Sequence, residues 1–256
     1  MRGVTALFLG LGVGTASSSR LGTPHYREFF YTSGEYVSEA SDFISRGQVY
    51  VEHLIPAFNQ TSEPEPIIFI HGGDGNPGWA SYFLGRGYEV YLIDQAFRAC
   101  SPWTPLNSSD TLKAYGARYL PVATLLPQIQ ISGRKLNFTH DGQVNGTKGD
   151  AIFDTDYKST APNAYLSDPA TQQLAVQAGL AELLDRIGRP VTVVGHSQGG
   201  IMTWLAADAR PKLVKRLVAL EPSGLPFIDQ VFSQGAAWQY GLTDAPPTYD
   251  PPLPFL

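Results

Sequence analysis

The sequence holds a single cysteine, Cys100, among 256 residues, so no disulfide can form within the chain. A lone thiol of this kind is expected to be a small buried hydrophobe rather than a reactive group. Basic residues are not in excess: 18 Lys and Arg face 23 Asp and Glu, for a formal net charge of -5. That leaves no basic surface of the kind that attracts phosphate backbones or anionic membranes, and nucleic acid is not an expected partner. The N-terminal apolar run, Val4 to Val13, is too short to span a bilayer. The five histidines, His25, His53, His71, His140 and His196, form no H-x-x-x-H or comparable pair, so no metal site is expected, and the chemistry favoured below needs no cofactor. No histidine follows His196, and that absence bears on everything read below.

What is present begins with "MRGVTALFLGLGVGTASSSR". Arg2, the apolar run and the small residues Ala16 to Ser19 fit a secretory signal peptide over residues 1–19, with one domain over 20–256. Four of the six asparagines, Asn59, Asn107, Asn137 and Asn145, lie in N-x-[ST] sequons, which points to a glycosylated, extracellular surface. No membrane partner is expected once the signal is removed.

The pattern along the chain alternates strand and helix. "REFFYTSGEYV" (27–37) and "GQVYVEHLIP" (47–56) read as two antiparallel-type strands, and "PIIFIH" (66–71) as a central strand covered on both faces. A short helix (79–87) leads to the strand "YEVYLID" (88–94). Residues 95–168 are irregular and rich in Pro, Gly, Ser and Asn, yet their aromatic and aliphatic content suggests a folded cap or lid. Asp168 then predicts an N-cap with Pro169 at the first helical position. Leu180, Leu183, Leu184 and Ile187 follow helical spacing, and Gly188 and Pro190 end the helix. A strand (190–197), a helix (198–210) and a strand (213–222) complete the readable part. Such alternation predicts an α/β fold with a mostly parallel sheet and helices on both faces.

Chemistry concentrates at Gly195-His196-Ser197-Gln198-Gly199, which matches G-x-S-x-G. In that motif the serine sits in a strained turn between strand and helix, and the flanking glycines admit the neighbouring backbone. Ser197 is the candidate nucleophile, and the backbone N–H of Gln198, at the start of the helix, is a candidate oxyanion donor. "HGGDGNPG" (71–78) supplies a second arm, with Gly72 and Gly73 as donors and His71 orienting the loop. The same stretch also spells G-x-G-x-x-G through Gly73, Gly75 and Gly78, with Asp94 ending the next strand, as in a dinucleotide-binding unit. Against that reading, Pro77 precedes the third glycine and the 195–200 turn is left without a role. Glu221, closing the strand after the serine, is the candidate acid, since ligands of open parallel sheets bind beyond the carboxyl ends of the strands.

With these residues in place, the chain resembles the α/β-hydrolase superfamily, and within it a group of secreted fungal and bacterial esterase-like proteins carrying "HGG", "PGWASYFL…GYEVYLID", "GHSQGG" and "ALEPSG" blocks. The likeness covers most of 25–250. It implies a hydrolase of carboxylic esters acting through an acyl-enzyme, with a small-molecule ester as substrate, Ser197 as nucleophile, Glu221 as acid, and oxyanion donors near Gly72, Gly73 and Gln198. The loop after "HGG" is shorter here than in the group. The resemblance also implies that the family continues past "YDPP" through two further strands bearing the triad histidine, which this chain lacks. None of its own histidines is expected to replace it: His196 should point to the other side of the turn, and His71 and His140 belong to the loop and the cap. Loss of that histidine costs on the order of a million-fold in turnover. The chain as it stands is therefore expected to be nearly inactive, either as an incomplete gene product or as a hydrolase-fold protein that binds without catalysis. The strand at 213–221 would also become a long apolar edge.

Overall fold

The computed structural model describes residues 22–39, 42–58, 64–71, 78–102, 168–223, 227 and 238–248. The signal-peptide segment, all four sequons, Gly72, Gly73, His140 and most of the expected cap lie outside the described residues.

Among the described residues, eight strands and three helices run in chain order: β1 (His25–Thr32), β2 (Glu35–Glu39), β3 (Asp42–Arg46), β4 (Val49–Pro56), β5 (Ile67–Ile70), α1 (Gly78–Leu84), β6 (Val90–Asp94), α2 (Pro169–Ile187), β7 (Val191–His196), α3 (Gln198–Ala209) and β8 (Val214–Leu220). Six strands form one sheet in the order β1-β4-β6-β5-β7-β8. The first three pair antiparallel, and β6, β5, β7 and β8 are parallel. The strand expected over 27–37 is in fact two. Ser33 and Gly34 take positive φ (55° and 95°) and break it, and β2 pairs instead with β3 in a separate two-stranded sheet.

Helices cover both faces, as the alternation implies. Val49, Val51, Ile68, Ile70, Tyr91 and Ile93 face α2 and α3, packing with Val176, Leu180, Leu183, Leu184, Met202 and Leu205. Leu54 and Val90, with Phe69 and Leu92, face α1 through Ala80 and Leu84. Each fully buried leucine of α2 contributes about 1.5–3 kcal/mol by leaving water. The helix begins and ends where its sequence indicates: Asp168 Oδ1 accepts from Ala170 N at 3.1 Å, and Gly188 closes it at φ 66°.

Two packing consequences position the site. Helix α1, after β5, packs on one face of the sheet and α3, after the adjacent β7, on the other, an arrangement beyond whose strand ends open parallel sheets form their ligand crevice. The start of the segment assigned to the cap also belongs to the core. Gln95, Ala96, Phe97, Arg98 and Ser101 are buried in a tight turn directly after β6. Phe97 and Ala99 take positive φ there, 66° and 47°. Cys100, at the end of this turn, is exposed rather than buried. The bend that aims its N–H at Asp94 Oδ2 (2.9 Å) turns its side chain outwards.

The outer strand β8 is not a continuous apolar edge. Lys215 and Arg216 are exposed on it and both pair with Glu65, while Val218 is its exposed large apolar residue. Charge on an edge strand discourages pairing with other chains.

Candidate active site

The turn between β7 and α3 is built by exclusion of side chains. A Cβ on Gly195 would lie 2.1 Å from Gly199 O, and one on Gly199 would lie 2.2 Å from Ile70 O, at the end of β5. Only glycine lets α3 start this close to both strands. Ser197, between them, is forced to φ 52° and ψ -121°, a conformation that costs a non-glycine residue on the order of 1–3 kcal/mol. The strain is held by its neighbours: Ser197 N donates to Leu220 O at 3.0 Å, and Ser197 O accepts from Gly200 N (2.9 Å) and Ser223 N (3.0 Å). The half-buried serine therefore stands in a pinned turn at the carboxyl end of β7.

Ser197 Oγ lies 3.0 Å from Ser223 Oγ. Sequence reasoning passed over Ser223, whose signal was a second hydroxyl two residues beyond Glu221 in "EPSG". Among the described residues no histidine hydrogen-bonds Ser197 Oγ. His25 sits at the exposed start of β1 beside Thr23 O, and His53 stacks on Tyr91 near Glu89.

Glu221 follows β8 directly, on the strand next to β7, at φ 42°. Its side chain is 91% exposed, with Oε2 3.9 Å from His196 Nε2, beyond hydrogen-bond distance. His196 is itself exposed and stands on the Glu221 side of the turn. The structure thus brings Ser197 and Glu221 to neighbouring strand ends without joining them.

His71 directly follows β5, and the loop it is expected to orient lies outside the described residues. Its Nε2 lies 3.2 Å from Asp94 Oδ1, and its carbonyl accepts from Gln95 Nε2 at 2.7 Å. Burial opposes ionisation of Asp94, but the contacts from His71 and the Cys100 N–H outweigh it and hold the carboxyl below its ordinary value. Both Asp94 oxygens are thereby engaged inside the protein, one by each partner. A ribose hydroxyl would have to displace them.

A polar network that sequence reasoning missed lies behind Gln198. The Arg98 side chain, fully buried, donates from Nη1 to Gln198 Oε1 at 2.5 Å. Gln198 Nε2 donates to Gln172 Oε1 (3.2 Å), and Gln172 Nε2 to Ala96 O (3.1 Å). Both ends of the Gln198 amide are therefore held. Arg98 gave little signal in the sequence because it follows the last strand residue in a stretch without periodicity.

Among the described residues no group of three or more His, Cys, Asp or Glu could hold a metal ion, and no helix is long and apolar enough to cross a membrane.

A model of the alpha/beta hydrolase fold family matches residues 65–250. A probable secreted lipase, phiG, of Fungal sp. (strain ATCC 74256) is 36% identical over 238 residues, 87% of this chain and 60% of that protein. The chain thus spans 60% of the length of that relative. Among solved structures, a novel bacterial esterase is 22% identical with a TM-score of 0.56, covering 86% of this chain and 73% of that one, a likeness of fold.

Proposed function

The chain belongs to the alpha/beta hydrolase fold family, and we propose that it is a secreted carboxylic-ester hydrolase in which Ser197 forms the acyl-enzyme. The observation that carries this reading is Ser197 at φ 52° in the glycine-packed turn at the carboxyl end of β7, with α3 opening behind it. In that place the tetrahedral oxygen formed on attack meets the positive end of α3, where the Gln198 N–H stabilises it. Gly72 and Gly73 supply the second arm of this oxyanion hole. In the family scheme the proton passes from Ser197 to the leaving alcohol through the triad histidine that this sequence lacks, and Glu221 would hold that histidine in its working tautomer. The lipase relative supports an ester of small-molecule type as substrate and an extracellular site of action. The four sequon asparagines would then carry glycans.

The reading is tested with a fluorophosphonate probe and a set of p-nitrophenyl esters. Ser197 becomes phosphonylated and ester turnover disappears in Ser197→Ala. A protein that folds, resists the probe and cleaves no ester overturns it. One observation favours a second reading, a hydrolase-fold protein that binds esters without cleaving them: the Glu221 carboxylate is exposed and no described histidine contacts Ser197 Oγ. That reading predicts ester binding by calorimetry with no labelling of Ser197.

A further inference from the structure

Arg98 is a permanently charged group, 2% exposed, in the turn after β6. Taking a guanidinium out of water costs several kcal/mol unless its donors are well used. Its Nη1 is used on one particular acceptor, the side-chain carbonyl of Gln198, in a short charge-assisted bond. Gln198 is the residue directly after Ser197, and its other amide end is held by Gln172, itself tied back to Ala96 of the same turn. Three residues before Arg98, Gln95 holds the carbonyl of His71, at the root of the other arm of the crevice. One short turn therefore holds both the carbonyl that follows β5 and the side chain that follows Ser197. The turn is also bent to do so: Phe97 and Ala99, flanking Arg98, both take left-handed backbone, and Phe97 is buried in the main core. Strain concentrated around one buried charge is expected where geometry matters more than stability.

Building on the serine-hydrolase reading, we propose that Arg98 is a positioning residue of the oxyanion hole. It grips Gln198 by its side-chain carbonyl and so fixes the direction of the Gln198 backbone N–H. Arg98 does not touch the substrate. It acts on the hole through Gln198, so that contribution to the labelling rate is lost when Gln198 has no carbonyl to hold.

The experiment is a double-mutant cycle on the full chain with Arg98→Met and Gln198→Leu, read as the rate of Ser197 phosphonylation by the fluorophosphonate, whose P=O oxygen occupies the hole. Loss of one oxyanion donor costs about 100- to 1000-fold, so a misdirected one is expected to slow labelling by roughly 10- to 100-fold in either single variant. The double variant should be no slower than the singles. Effects that multiply, or labelling of Arg98→Met at the wild-type rate, overturn the proposal. Where Arg98→Met does not fold, Arg98→Lys in the same two backgrounds reads the same coupling. Amide hydrogen exchange is measured alongside: in the Arg98 variants residues 197–203 should exchange faster while β4 and β6 stay unchanged. If the wild-type serine resists the probe, the hydrolase reading falls, and the role in the oxyanion hole falls with it. Exchange then decides the remaining claim alone, faster exchange supporting Arg98 as the clamp on this turn and unchanged exchange overturning it.

Discussion

The hydroxyl of Ser197 and the hydroxyl of Ser223 lie 3.0 Å apart, bridging the turns that follow two adjacent parallel strands. The bridge adds to the backbone bond from Ser223 N to Ser197 O, so the Ser197 turn and the turn carrying Glu221 are locked to each other. Ser223→Ala removes one half-buried neutral hydrogen bond, and stability in a urea titration should fall by about 1 kcal/mol. Labelling of Ser197 should change by no more than roughly fivefold, the rate equivalent of that energy. A loss as large as that of Ser197→Ala would make Ser223 part of the chemistry.

Gly199 meets Ile70 O, a backbone atom that cannot step aside, at 2.2 Å from where a Cβ would stand. Gly199→Ala is expected to cost about 3 kcal/mol or more, the upper end of overpacking. Gly200→Ala should be milder, because its nearest neighbour would be Pro222 Cβ at 2.9 Å, a side-chain atom on the turn after β8. Thermal melting of the two variants side by side checks the order. Equal melting temperatures would show that the approach of α3 to β5 is not the constraint.

Asp94 has a folded pKa below its ordinary value of 3.8, through its contacts with His71 and Cys100 N–H and despite burial. The stabilisation is therefore full above the unfolded value and lost as pH falls through the lower folded one. Asp94→Asn should be less stable than wild type at neutral pH, and the difference should shrink in acid. A difference independent of pH would mean that the carboxylate's charge contributes nothing.

His53 has the same sign for a different reason. Burial is the largest effect and lowers its pKa below 6.5, while Glu89 and Glu28 oppose and Arg186 assists. Because the folded state prefers the neutral imidazole, stability is present above that ordinary value and declines as pH falls towards the folded one. The urea midpoint of wild type should drop between about pH 7.5 and pH 5.5, and His53→Gln should flatten that part of the slope. An identical slope in the variant would assign the loss to other groups.

Much of this architecture was legible because it is encoded locally. The span of α2 follows from Asp168, Pro169, the leucine spacing and Gly188, and the Ser197 turn follows from two glycines around a serine. The break at Ser33 and Gly34 was not legible, since aromatic and β-branched residues continue across it and only the backbone conformation divides β1 from β2. The 95–101 turn was missed for a related reason. It has no period, and burial of Arg98 depends on a partner a hundred positions away.

By itself the sequence determined which segments are strand and helix in the parallel half, that a serine stands in a turn only glycines can build, and that an acid follows on the next strand. These depend on side-chain periodicity, capping and the absence of Cβ atoms, all properties of neighbouring residues. Tertiary structure alone decided that Ser223 meets Ser197, that Glu221 faces solvent beside His196, and that Arg98 reaches Gln198. Each of those is a contact between chain segments brought together by sheet order, and sheet order is set by how the whole apolar surface is buried.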